Sequence, residues 1–181
     1  GIPLRESTAT AVGHAVDHAA ERFAASAGPR EPLDAARAAL EANGIGLTFS
    51  DTGPLRHYVA EGQSLRLSNK AALATQRFQA LHQVALLTHE PLLEATLDLA
   101  RFQSDAARGI AKIGLANYFA GAALLPYRAF LEAARETRHD LERLADRFGA
   151  SIEQVAHRLS TLQRPGAKGV PFFFVRVDQA G

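Results

Sequence analysis

The stretch from Arg77 to Leu86, RFQALHQVAL, carries the spacing of a zinc-binding helix with most of the zinc chemistry replaced. In H-E-x-x-H, two imidazoles one turn apart hold the metal and the Glu takes a proton from its water. The same five positions here read His82-Gln83-Val84-Ala85-Leu86. A Gln side chain accepts no proton near neutral pH and a Leu offers no lone pair, so this helix can neither activate water nor complete a tetrahedral site. The pattern therefore predicts a scaffold turned to binding, with His82 as a hydrogen-bonded core residue and no catalytic or metal-ligating residue. His89-Glu90-Pro91-Leu92-Leu93 begins the same way, but Leu93 stands at the second ligand position. Pro91 cannot continue a regular helix, which predicts a loop leading into a helix N-terminus.

Other residues suit anion or ligand binding. Between Ala156 and Gly181, Arg158, Arg164, Lys168 and Arg176 stand against Asp178 alone. Pro165, Gly166 and Gly169 shape the loop around Lys168, and such loops can turn backbone N–H groups toward phosphate oxygens. A strand over 170–177 would place Phe172, Phe174 and Arg176 on one face by its period of two. That face either lines a pocket or belongs to a doubly buried strand. Tyr118 and Tyr127 flank the end of an apolar helix, where a buried phenol needs a partner for its hydroxyl. Arg77 is a further cation candidate on the degenerate helix. Asp140 to Leu159 fits a helix-turn-helix, with Ala145 between the helices, Gly149 at the turn and Val155 as anchor. Glu132, Glu136, Asp140, Glu142 and Asp146 would oppose phosphates, so the motif is expected to pack within the domain.

The elements that must position these residues follow from periodicity. Val12, Val16, Ala19, Ala20 and Phe23 predict a first helix over 7–27, and Pro32 opens a second that ends at Asn43-Gly44. Strands are expected at 45–49, 55–59 and 64–67, the last two as an antiparallel hairpin or meander. Ser68 or Asn69 is expected to cap the helix that carries His82. Further helices are expected from Pro91 to about Phe102, over 104–125 as an apolar central helix, over 129–148 and over 151–162, before the turn at 163–166 and the final strand.

The 181 residues include 20 Lys and Arg against 19 Asp and Glu, for a net charge of +1, so any anion site must be local. The absence of Cys excludes disulfides and thiolate sites and fits a reducing cytoplasm. No run is long and apolar enough for a membrane span. The chain also lacks Met, and with the strand-like VRVDQAG at its end it is expected to be part of a longer protein.

Within the helix 104–125, LANYFAGAALLP resembles the helix that follows H-E-x-x-H in ImmA/IrrE-type metallopeptidases. The third ligand of that family, a Glu, is Ile113 here. Together RFQALHQVALL, IGLANYFAGAALLPY and VAHRLSTLQRPGAKGVPFFFVRVDQAG resemble the sensor region of the short-chain fatty-acyl transcriptional regulators of the Xre class, over about residues 55–181. These regulate propionate catabolism through the methylcitrate cycle, and the glyoxylate cycle. The resemblance implies an α+β, helix-dominated, degenerate zincin-like (ImmA/IrrE-like) domain with a small antiparallel sheet. It divides the chain into a helical segment, 1–44, and a ligand-sensing domain, 45–181. It further implies a non-enzymatic domain with no resident cofactor, which binds short-chain acyl-CoA. Arg77, Arg158, Arg164, Lys168 and Arg176 would compete for the phosphates, and Tyr118, Tyr127, Phe172 and Phe174 would line the acyl tunnel. In that family DNA is bound by a separate N-terminal helix-turn-helix domain, and a Cys-bearing C-terminal domain holds an iron–sulfur cluster in one branch. A cytoplasmic homodimer is expected, with no membrane partner. The alternatives are a scaffold or dimerisation domain without ligand, or a metallopeptidase.

Overall fold

The computed structural model describes the backbone of residues 3–164 and 167–168, and side chains from 14 to 162. The N-terminal helix α1 spans Pro3–Ala27, and α2 spans Pro32–Ala42. Pro32 sits in the first turn of α2, where its missing N–H leaves nothing unbonded, and Glu31 caps that turn by accepting from Leu33 N at 2.8 Å. Three strands follow: β1 (Gly46–Ser50), β2 (Arg56–Val59) and β3 (Ser64–Ser68). The hairpin expected of the last two is present, since β2 pairs antiparallel to β3. The sheet as a whole is mixed, because β1 lies on the other side of β3 and runs parallel to it. An antiparallel sheet was the wrong expectation: β1 and β3 are not neighbours in sequence, and the β2 excursion returns the chain in the direction of β1.

Helix α3 (Leu73–Thr88) starts later than its expected cap, after Ala72, with no side-chain cap bond. Ser68 instead ends β3 and Asn69 donates to Asp51 Oδ1 at 2.5 Å. The short α4 (Glu90–Leu97) stops five residues before Phe102. Then α5 (Asp105–Leu124) begins at Ser104, whose hydroxyl accepts from Ala107 N at 3.1 Å. Only the second half of α5 is central: Ala116, Phe119, Ala120 and Ala122 are fully buried, whereas Ile110 is 73% and Ile113 49% exposed.

The helix expected over 129–148 is broken into α6 (Tyr127–Glu136) and α7 (Leu141–Phe148). Thr137 bonds back to Ala133 O at 2.9 Å, Arg138 and His139 adopt φ of 53° and 63°, and Asp140 caps α7 by accepting from Arg143 N at 3.1 Å. Two successive left-handed residues turn the chain where side-chain periodicity runs on. Helix α8 (Ile152–Ser160) follows, and the two-residue strands β4 (Gln163–Arg164) and β5 (Ala167–Lys168) pair antiparallel. The strand expected over 170–177 lies outside the described residues.

Helix α5 packs against both α1 and α3, and α2 lies on α3. Val16, Ala20, Ala36, Leu40, Leu65, Leu67, Val84, Phe119 and Phe130 thus belong to one core with the N-terminal helices inside it. Among the described residues no helix is long and apolar enough to cross a membrane.

Candidate functional site

Helix α3 delivers the degenerate motif to the interior. His82 is 1% exposed, and its Nδ1 lies 2.7 Å from Asn117 Oδ1 on α5. With Nδ1–H as donor, the ring presents a lone pair at Nε2, which is buried and has no protein partner. Burial, and then the nearby Arg56 guanidinium, hold the imidazole neutral with its pKa pushed down to about 4; the Asn117 bond opposes this. Arg56, on the edge strand β2, donates to Gln79 Oε1 of α3 at 2.7 Å. Leu86, at the place of a second ligand, packs against the core, and Ile113, at the place of the third, is half exposed. No group of three His, Cys, Asp or Glu side chains among the described residues could hold a metal ion.

His89 sits at the junction of α3 and α4 with Pro91 in the first turn of α4, as expected of a loop entering a helix. Its Nδ1 lies 2.9 Å from Thr88 Oγ1, its ring is 4.6 Å from that of Phe119, and burial lowers its pKa.

Three expected ligand-site residues converge elsewhere, on a buried charge. Arg158, 2% exposed, pairs through Nη2 with Asp17 Oδ1 at 3.0 Å, and Asp17 is 1% exposed. The same guanidinium donates from Nε to Leu125 O at 2.9 Å and from Nη1 to Thr161 Oγ1 at 3.2 Å. Its Cζ stands 5.4 Å from the Tyr127 ring centroid and 5.8 Å from that of Tyr118. Tyr118 donates to Asp17 Oδ2 at 3.4 Å, and burial followed by the Asp17 charge raises its pKa. Arg158 is thus a core cation whose charge is already answered by Asp17, in place of the phosphate contact expected from sequence.

Arg77 is also committed. It donates from Nε to Glu31 Oε1 and from Nη1 to Gly149 O at 2.9 Å, so one side chain ties α2, α3 and the α7–α8 turn together. Gly149 adopts φ 62°, and a Cβ there would stand 2.6 Å from Arg77 Nη1. Gly149→Ala is accordingly expected to lose about 1–2 kcal/mol in urea unfolding, from left-handed backbone strain together with displacement of Arg77.

The same turn settles the helix-turn-helix motif. Val155 is fully buried, and Gln154 accepts from Ser151 N at 3.0 Å while donating to Ala74 O of α3 at 3.1 Å. The amide that a reading helix would present to a base is used inside the domain. Arg164 and Lys168 fall on β4 and β5, opposite Ala167 and Gln163, with side chains outside the described set. Phe172, Phe174 and Arg176 lie outside the described residues altogether.

Asp17, Asn117, Arg56 and Glu31 were missed by the sequence reading. Asn117 had a signal, as the one amide in the otherwise apolar run LANYFAGAALL. Asp17 had a weaker one, beside the apolar stripe of α1.

The arrangement defines a peptidase-type helical body in which one ligand position keeps His82, the other two hold Leu86 and Ile113, and Gln83 replaces the general base. The model of the IrrE N-terminal-like domain matches residues 48–160, and the chain belongs to that family. Residues 161–181 match the C-terminal domain of the short-chain fatty acyl coenzyme A regulators. The chain is 72% identical over 168 residues to the propionyl-CoA carboxylase regulator of Cereibacter sphaeroides, covering 92% of this chain and 36% of that protein. It is 43% identical over 174 residues to the HTH-type transcriptional regulator PrpR of Mycobacterium tuberculosis, covering 93% of this chain and 36% of that protein. For the HTH-type transcriptional regulator RamB of the same organism the identity is 44% over 127 residues, covering 70% and 27%. A solved Mycobacterium tuberculosis transcriptional regulator superposes with a TM-score of 0.86 at 41% identity, covering 93% of this chain and 53% of that one. These curated relatives are named as regulators, and the chain spans at most 36% of their length.

Proposed function

We propose that this chain is the ligand-sensing domain of a transcriptional regulator of short-chain fatty acid metabolism, and that it binds a short-chain acyl-CoA. The observation that carries the reading is the junction at residue 160. An IrrE-like body with two of its three zinc-ligand positions apolar runs directly into a segment matching the short-chain fatty acyl coenzyme A regulators. The name of the 72% identical relative supports propionyl-CoA metabolism as the setting. Coenzyme A needs cations at its phosphate end and an apolar channel at its acyl end. With Arg158 and Arg77 engaged by carboxylates, the phosphate role passes to Arg164, Lys168 and Arg176, and Phe172 and Phe174 remain as tunnel candidates. The domain breaks no bond. Acyl-CoA prefers one arrangement of it and so biases a DNA-binding domain of the longer protein, by linkage, in a cytoplasmic homodimer.

Calorimetric titration of the chain with propionyl-CoA, CoA and propionate tests this. Saturable heat with propionyl-CoA, weaker with CoA and absent with propionate, is the expected result. A second reading, a scaffold or dimerisation domain without ligand, is favoured by the close packing of Tyr118 and Tyr127 on Arg158. Absence of heat with all three compounds at high micromolar concentration would support it.

A further inference from the structure

His82 Nε2 is the one buried side-chain nitrogen or oxygen among the described residues that has no hydrogen-bond partner. Such an acceptor costs about 1–3 kcal/mol when left unmet, and a phenylalanine of similar shape would carry no such penalty. The ring cannot escape the penalty by protonation, because burial and Arg56 oppose the charged form. It is also fixed in place, since Asn117 holds the opposite nitrogen. Asn117 shares a face of α5 with Ile113 and Ile110, four and seven residues earlier, and these two are 49% and 73% exposed. The α5 face that carries the His82 partner is thus exposed and apolar at its outer end. Arg56, partly buried and near enough for its charge to act on the His82 ring, adds hydrogen-bond donors.

A ligand suited to this face is mostly apolar and extended, with a neutral group near its inner end that both donates and accepts. A secondary amide has that chemistry: its N–H meets a lone pair and its carbonyl meets a guanidinium. A carboxylate would bring no proton to Nε2, and a bare alkyl chain would leave the nitrogen unmet. We propose that the former metal-binding position is an amide-recognition site, in which His82 Nε2 accepts from the N–H of an amide in the ligand's arm and Ile113 and Ile110 flank that arm. This rests on the acyl-CoA reading above, because the pantetheine arm of coenzyme A carries two such amides.

Long-range proton–nitrogen NMR of the histidine-labelled chain reads the two ring nitrogens separately. Without ligand, His82 Nε2 should resonate as a bare lone-pair nitrogen and Nδ1 as a protonated one. Saturating propionyl-CoA should move Nε2 upfield and leave Nδ1 nearly in place, and pantetheine alone should produce the same movement at higher concentration. His82→Phe should bind propionyl-CoA about tenfold more weakly, the equivalent of one hydrogen bond. Calorimetric binding of propionyl-CoA with Nε2 unmoved would overturn the amide site while leaving the acyl-CoA reading intact. A pantetheine-induced shift without any propionyl-CoA heat would sustain the site and remove that reading. An Nε2 already shifted upfield in the free chain and indifferent to both compounds would assign the lone pair to solvent and overturn the proposal.

Discussion

Arg158→Ala is expected to destabilise the domain by about 3–5 kcal/mol, because it removes the guanidinium paired with the Asp17 carboxylate, which is 1% exposed. Desolvating a single charge is far harder than desolvating a bonded pair, and the Asp17–Arg158 contact at 3.0 Å provides the compensation. The loss spreads further, since Leu125 O and Thr161 Oγ1 lose a donor and the two tyrosine rings lose the cation they flank. Asp17→Ala should be comparably severe. Joint replacement by apolar residues of similar volume, Asp17→Leu with Arg158→Met, should recover most of the stability, since a buried pair is seldom worth more than good packing. Urea unfolding of the two single variants and the double variant measures this. A single-variant loss below about 1 kcal/mol would mean that the pair behaves as a solvated surface bridge.

The second large effect concerns acid. The folded state holds His82 at a pKa of about 4 against an ordinary value of 6.5. Between those values the unfolded chain takes up a proton that the folded chain refuses. Stability is therefore full above pH 6.5, falls as the pH drops toward 4, and levels off below it. The integrated loss from this one group is about 3 kcal/mol. Burial lowers His89 as well, so its contribution has the same sign. His82→Gln, which does not titrate, should flatten the slope of unfolding free energy against pH between 6.5 and 4.5, whatever its stability at neutral pH. A variant that kept the full slope would place the acid sensitivity elsewhere.

Periodicity and caps made most of the helical body legible. Pro32 and Ser104 open helices as their chemistry requires, and Gly149 turns the chain where left-handed backbone is needed. Sequence reading failed where backbone conformation overrode side-chain pattern. Arg138 and His139 break a helix without Gly or Pro to announce it, and β1 joins β3 through a pairing that no local pattern encodes. The loss of two zinc ligands, at Leu86 and Ile113, was visible in residue types alone, because chemistry absent from a side chain cannot be restored by folding. The fate of the cations was not visible. Whether Arg158 meets a phosphate or a carboxylate depends on Asp17, 141 positions away, and that distance in sequence carries no sign of contact. Arg77 likewise finds Glu31 only after α2 has packed on α3.

Native mass spectrometry of the chain incubated with zinc and propionyl-CoA together tests in one spectrum whether this peptidase-type body takes a thioester ligand in place of a metal. The account predicts a species heavier by one propionyl-CoA per chain and no retained zinc after gentle desalting. One tightly held zinc per chain, with no propionyl-CoA adduct, would contradict it.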